Sequence, residues 1–124
     1  MKKKFRLLKK SEFEAVFKGK ERIKTPNLIF YYLPTSVGRQ VTENIKIGVI
    51  VPKKKWKRAV VRNYLKRVIW SLHSRYSLEG FPKTLAIILF SNFFHENYRG
   101  GKVNYEELQR EIEKIYSVFL RRCS

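Results

Sequence analysis

The chain has 124 residues, enough for one domain over 1–124 that removes roughly two-thirds of its unfolded surface from water. Twenty-eight Lys and Arg face ten acids, a net charge of +18, against an apolar fraction of 44% with nine Phe, seven Tyr and two Trp. That charge opposes compaction and points to a polyanionic partner, nucleic acid first; ten glutamates without an aspartate argue against the clustered carboxylates of a self-sufficient nuclease, and a single Cys123 excludes an intramolecular disulfide or a cysteine metal cluster.

Residues 2–10 are basic and lack a sustained apolar segment, so they do not read as a secretory signal. Ser11 to Glu14 has the spacing of a capping box, with Phe13, Val16 and Phe17 following at helical intervals and Gly19 as a stop. This predicts a helix over 11–19. Asn27 to Leu33 (NLIFYYL), bounded by Pro26 and Pro34, reads as a strand, and Ile45 to Val51 (IKIGVIV) as another closed by Pro52. Residues 35–44 between them form a polar loop, and the two strands can pair as a hairpin. A helix is predicted from Arg58 or Ala59 to Tyr76: at ~100° per residue, Val61, Leu65, Val68, Ile69, Leu72 and Tyr76 share one face. Thr84 to Phe90 is nearly continuous in apolar residues, as in a strand buried on both sides. Its apolar run from Leu85 is six residues, too short to span a bilayer, so cytoplasmic localisation without a membrane partner is the expectation. Residues 91–103 are polar and contain Gly100-Gly101; a fourth strand, if the sheet has one, is sought there. Asn104 with Glu107 opens a last helix carrying Leu108, Ile112, Ile115 and Phe119. Most glutamates fall at Glu12, Glu14 and Glu106 to Glu113, in apparent first turns where acids favour the helix dipole. The order αββαβα implies an α+β fold, a two-layer α/β sandwich with a sheet of three to four strands.

Eight of the fifteen residues from Lys53 to Arg67 are basic, and no acid occurs between Lys53 and Ser77. Lys53, Lys54 and Lys55 follow a strand end directly. Arg58, Arg62 and Lys66 lie four apart in one row, and Asn63 and Arg67 form a second. An ordinary solvated helix face mixes both signs, since opposite charges four apart stabilise a helix. Two acid-free rows instead suit phosphates, which guanidinium groups grip with paired hydrogen bonds and ammonium groups attract as point charges. Trp70, on the same basic face, either stacks on a nucleobase or packs against a neighbouring loop or under an arginine as a cation–π partner. Phe13 and Phe17 read as core, while Tyr31, alternating with its strand neighbours, is left open between core and surface. His73 and His95 are isolated and form no triad or metal set.

The segment AVVRNYLKRVIW, residues 59–70, resembles the signature helix of the bacterial ribonuclease P protein component, approximately A-V-x-R-N-R-x-K-R-x-x-R. The match holds at Ala59, Val60, Arg62, Asn63, Lys66 and Arg67. IGVIVPKKK, residues 47–55, is similar to the strand and double lysine that precede that helix in the family, and RLLKKSEFEAVFKGK to its F-x-x-V-F-x-x-G opening. Tyr64 and Trp70 stand where the family has arginines, and the glycine expected before Ala59 is absent. Trp70 thus removes a phosphate contact or converts it to stacking.

The resemblance implies a protein subunit that binds the catalytic RNA of ribonuclease P, one protein per RNA, and helps remove the 5′ leader from precursor tRNA. The reaction needs Mg2+, held mainly by the RNA, so catalytic and metal-binding residues are not expected in this chain. RNA binding falls on Lys53, Lys54, Lys55, Arg58, Arg62, Asn63, Lys66, Arg67 and Trp70. Leader binding falls on Phe13, Phe17 and Tyr31, in a groove between the first helix and the sheet. The resemblance also implies a left-handed β-α-β crossover, against the usual right-handed rule. The alternative is a structural RNA-binding protein of ribosomal type with no part in cleavage.

Overall fold

The computed structural model describes residues 3–7, 9–34 and 42–123, built around a four-stranded sheet. After a 3₁₀ turn at Lys3–Phe5, the elements are α1 (Lys10–Gly19), β1 (Glu21–Lys24), β2 (Leu28–Tyr32), β3 (Lys46–Ile50), α2 (Ala59–His73), β4 (Leu85–Phe90), α3 (Asn92–Asn97) and α4 (Tyr105–Arg122). The sheet order is β1-β2-β4-β3. β1 and β4 each pair antiparallel with β2, and β3 pairs parallel with β4, so β3-α2-β4 is a crossover between neighbouring strands. The predicted α+β class and the order of the main elements are borne out.

Four local expectations are corrected. Residues 27–33 and 45–51 do not form a hairpin, because β4 lies between them. A strand apolar on both faces gains most at the centre of a sheet, where helices cover it on each side. The fourth strand is β1, whose single buried residue, Ile23, gives no alternating signal. Its exposed charges suit an edge strand, where they discourage pairing with other chains. Residues 91–103 instead begin with α3: Ser91 caps it by accepting from the Phe94 N–H at 3.2 Å, and Phe94 is buried. Ser11 lies inside α1, which starts at Lys10 with Lys9 at the cap position and no side-chain cap. α2 ends at His73, three residues short of Tyr76. Most of the predicted 35–44 loop, residues 35–41, lies outside the described residues.

The sheet is covered unequally. One face carries α2 and α4, where Leu65, Val68, Ile69, Leu72, Leu108, Ile112, Ile115 and Phe119 meet Phe30, Tyr32 and Ile88. Across the other face lies α1, with Val16 against Leu7, Leu85 and Ile87, and Phe13 packed beside them. Gly48 permits this approach. It pairs with Ile87 and so faces α1, where a Cβ would lie 2.6 Å from the Phe13 ring.

Two buried polar clusters fix the elements. Glu111, in mid-α4, accepts from the Asn27 N–H at 2.8 Å and from its amide nitrogen at 2.6 Å, tying α4 to the turn between β1 and β2. Glu111 therefore pairs with both the backbone and the side chain of Asn27 rather than serving the helix dipole. His73 is buried between α2 and α4, with Nδ1 donating to the Ile69 carbonyl at 2.8 Å and Nε2 bonded to the Tyr116 hydroxyl.

Three measurements check this account. Gly48→Ala should destabilise the chain by about 1–3 kcal/mol through overpacking, and Phe13→Leu in the same chain should recover part of the loss in denaturant unfolding. Glu111→Ala leaves the buried Asn27 N–H unmatched, the side-chain amide keeping its 2.8 Å bond to Glu107, and should cost about 1–3 kcal/mol. Burial lowers the His73 pKa from 6.5 to about 4, with the Ile69 bond acting the other way. The unfolded chain therefore takes up a proton below pH 6.5 that the folded chain refuses until about pH 4. The stability from this group is complete above the higher value and is lost, by about 3 kcal/mol, as pH falls to the lower one. His73→Gln should shrink the stability difference between roughly pH 7 and pH 4.5 by about 2 kcal/mol; an unchanged difference would contradict the assignment.

Candidate nucleic-acid interface

β3 runs into Val51 and Pro52, and the chain then turns through Lys53, Lys54 and Lys55, all exposed. The Lys55 and Trp56 N–H groups both donate to the Pro52 carbonyl, at 3.2 and 2.9 Å. Trp56 is 8% exposed and anchors the turn, with its ring centroid 4.7 Å from His95, 5.8 Å from Tyr98 and 5.9 Å from Phe94. His95 Nε2 also donates to the Lys55 carbonyl at 2.9 Å, and the Lys55 ammonium is bonded to the Asn92 side chain. The lysine turn is thus held by an aromatic nest and by α3. A pocket of about 330 Å³ opens beside it, lined by Trp56, Lys57, Arg58, His95 and Tyr98 among others.

Arg62 closes the turn onto α2. Its Nη1 donates to the Trp56 carbonyl at 2.8 Å and to the Lys57 carbonyl at 3.0 Å. Of the predicted RNA-binding residues, Arg62 therefore has a structural bond of its own and is partly buried, whereas Arg58, Asn63, Lys66 and Arg67 are exposed. α2 has no acid in its first turn and no side-chain cap at Arg58. The positive end of the helix dipole is left to reinforce the basic side chains around it.

The two departures from the signature both have partners. Tyr64 packs against the core, and its hydroxyl accepts from the Val103 N–H at 3.0 Å, fastening the segment before α4. Trp70 packs against the core edge with the Arg6 guanidinium 5.0 Å from its ring centroid. This is the cation–π packing named as one alternative for Trp70. Arg6 is a neighbour of the α2 face that sequence reasoning missed, being distant in the chain and without a pattern of its own.

On the opposite face of the sheet, Phe13, Phe17 and Tyr31 come together beside α1. Phe17 is 38% exposed and meets Tyr31 edge to face at 5.1 Å. Phe13 is partly buried over Gly48, so the core reading holds for Phe13 better than for Phe17. Paired residues of adjacent strands point to one side of a sheet. Tyr31 pairs with Arg22 and Ile87, Ile29 with Lys24 and Leu89, and Ile50 with Leu89. Half-buried Ile29, Leu89 and Ile50 thus extend the aromatic floor, and exposed Arg22 and Lys24 rim it. This rim was not foreseen because β1 was not. Ile50 also places the floor at the foot of the Lys53–Lys55 turn. Among the described residues, no group of three or more His, Cys, Asp or Glu could hold a metal ion, and no helix is long and apolar enough to cross a membrane.

The model of a protein family described as Ribonuclease P matches residues 1–119. The ribonuclease P protein component of Mycoplasmopsis synoviae is 34% identical over 119 residues, covering 96% of this chain and 93% of that protein. That of Mycoplasmopsis pulmonis is 32% identical over 120 residues, covering 96% and 95%. Among solved structures, a Staphylococcus aureus RNase P protein mutant with defective mRNA degradation activity superposes with a TM-score of 0.70 over 94% of this chain and 88% of its own, at 17% identity. That identity supports the fold alone. The family match over nearly the whole length establishes what the signature on α2 implied: the chain belongs to the ribonuclease P protein family.

Proposed function

We propose that this chain is the protein subunit of ribonuclease P, an endoribonuclease, and that its two surfaces divide the work. The lysine turn and the exposed face of α2 bind the catalytic RNA through its phosphates, one protein per RNA. The groove of Phe13, Phe17 and Tyr31 grips the single-stranded 5′ leader of precursor tRNA, its bases stacking on exposed rings and its phosphates drawn to Arg22 and Lys24. The observation that carries this reading is the pairing of an acid-free basic helix with a separate aromatic groove on one rigid sheet. A purely structural RNA-binding protein would use the first surface and has no need of the second.

Mg2+ supplies the hydrolytic chemistry of the complex, and the RNA is assigned to hold it. Four of the chain's carboxylates have partners of their own: Glu111 and Glu107 accept from Asn27, Glu79 pairs with Lys4 at 2.8 Å, and Glu12 pairs with Lys46 at 3.7 Å. Cytoplasmic residence follows from the proposed role.

Reconstitution with the RNA subunit from the same organism tests the reading. At low magnesium the chain should stimulate 5′ cleavage of precursor tRNA, and no stimulation would remove the proposal in favour of the ribosomal type. Phe17→Ala with Tyr31→Ala should weaken precursor binding by about 1–3 kcal/mol per lost stack and leave binding of leaderless tRNA unchanged. Arg67→Ala should lower the slope of log affinity against log salt for the RNA subunit by about one.

A further inference from the structure

One guanidinium outside the predicted set stands where a phosphate ligand would need it. Arg6 lies in the N-terminal segment that pairs with β3, through a bridge to Ile47 and a 3.1 Å bond from the Leu7 N–H to the Ile47 carbonyl. That pairing carries its side chain across to α2, where the guanidinium carbon lies 5.0 Å from the centroid of the Trp70 ring. Arg6 Nε is buried without a hydrogen-bond partner, and no acid pairs with Arg6 among the described residues. Nε itself is closed to solvent, so the terminal Nη groups, which have no hydrogen-bond partner among the described residues, are the donors that an anionic oxygen can reach.

The neighbours of this group are basic as well. Lys66 and Arg67 lie four and three residues before Trp70 and are exposed. Side chains at those spacings are neighbours on a helix surface, with Cβ atoms about 5–6 Å apart. Arg6 therefore extends the basic row of α2 by a further turn. Trp70 occupies the last arginine position of the signature, so the guanidinium missing from α2 there is delivered from the N-terminal segment instead. With the guanidinium over the indole and Nε enclosed, the terminal nitrogens are what remains to meet a ligand, and their donors suit phosphate oxygens.

We propose that Arg6, held on Trp70 and flanked by Arg67, forms a binding site for a backbone phosphodiester of the RNA partner, with Trp70 as the positioning residue. The inference rests on the reading of α2 as the face that binds the RNA subunit. It differs from a packing role, in which Arg6 only shields the indole from water.

The test is a salt series of affinities for the RNA subunit from the same organism, with thermal unfolding of each free variant alongside. Arg6→Gln keeps much of the covering stem and removes the charge. It should lower the salt slope by about one and weaken binding roughly tenfold at physiological salt, with thermal stability close to that of the parent. Adding Trp70→Arg to Arg6→Gln should restore the slope, because a guanidinium returns to the same place from the helix itself. A parent chain that binds with a steep salt slope, together with an Arg6→Gln variant that keeps it, would overturn the Arg6 site and leave the α2 interface standing. Failure of Trp70→Arg to restore the slope would count the same way. A parent chain with no salt dependence would overturn both.

Discussion

The hydrogen bonding of β4 on both of its edges places everything else in this chain. It pairs antiparallel with β2 on one side and parallel with β3 on the other, and its faces are buried under different helices. The β2 edge brings Tyr31 level with Ile87, which fixes the aromatic groove under α1. The β3 edge aims the chain out of the sheet at Pro52 and into the lysine turn. Groove and basic helix are therefore held at a set separation by a shared central strand, as the proposed division of work between two surfaces requires.

A charge of +18 has to coexist with that scaffold. The ion pairs Lys4–Glu79 and Lys46–Glu12 involve no residue of α2. The basic surface is instead fixed by contacts that leave its charge uncancelled: Arg62 bonds backbone carbonyls, Trp56 packs among Phe94, His95 and Tyr98, and Trp70 lies beneath Arg6. Hydrogen bonds to neutral carbonyls and aromatic packing give order at no cost in net positive potential. Acids placed four residues away would order the same side chains while weakening their pull on phosphate. The order of the lysine turn comes from α3, the Trp56 packing and Arg62, and without them it would be a tethered charge cluster.

Much of this could be read from residue order. The 3.6-residue period of Val61, Leu65, Val68 and Leu72 marked the buried side of α2, and the structure buries all but Val61 fully. Asn104 caps α4 as its spacing with Glu107 required, accepting the Glu107 N–H at 3.1 Å. Other features left no local trace. β1 contributes one buried side chain and three charged ones, a pattern indistinguishable from a polar turn. α3 is a single capped turn and a half whose stability comes from Phe94 packing on Phe90 and Trp56. Glu111 looked like one more surface acid because its partner, Asn27, lies 84 residues away.

By itself the sequence determined the chemistry of the surfaces: an acid-free amphipathic helix, a lysine approach, aromatic residues near the N-terminus and a family signature joining them. Periodicity and charge are properties of neighbouring residues, and such properties survive in one dimension. Only the tertiary structure decided which strands touch, that β4 separates β2 from β3, that Arg22 and Lys24 rim the groove, and that Arg6 reaches Trp70. Each of these joins residues far apart in the chain, and their partners are selected by burial of both faces of β4 and by the close approach of Phe13 over Gly48. Those constraints exist only once the sheet has closed.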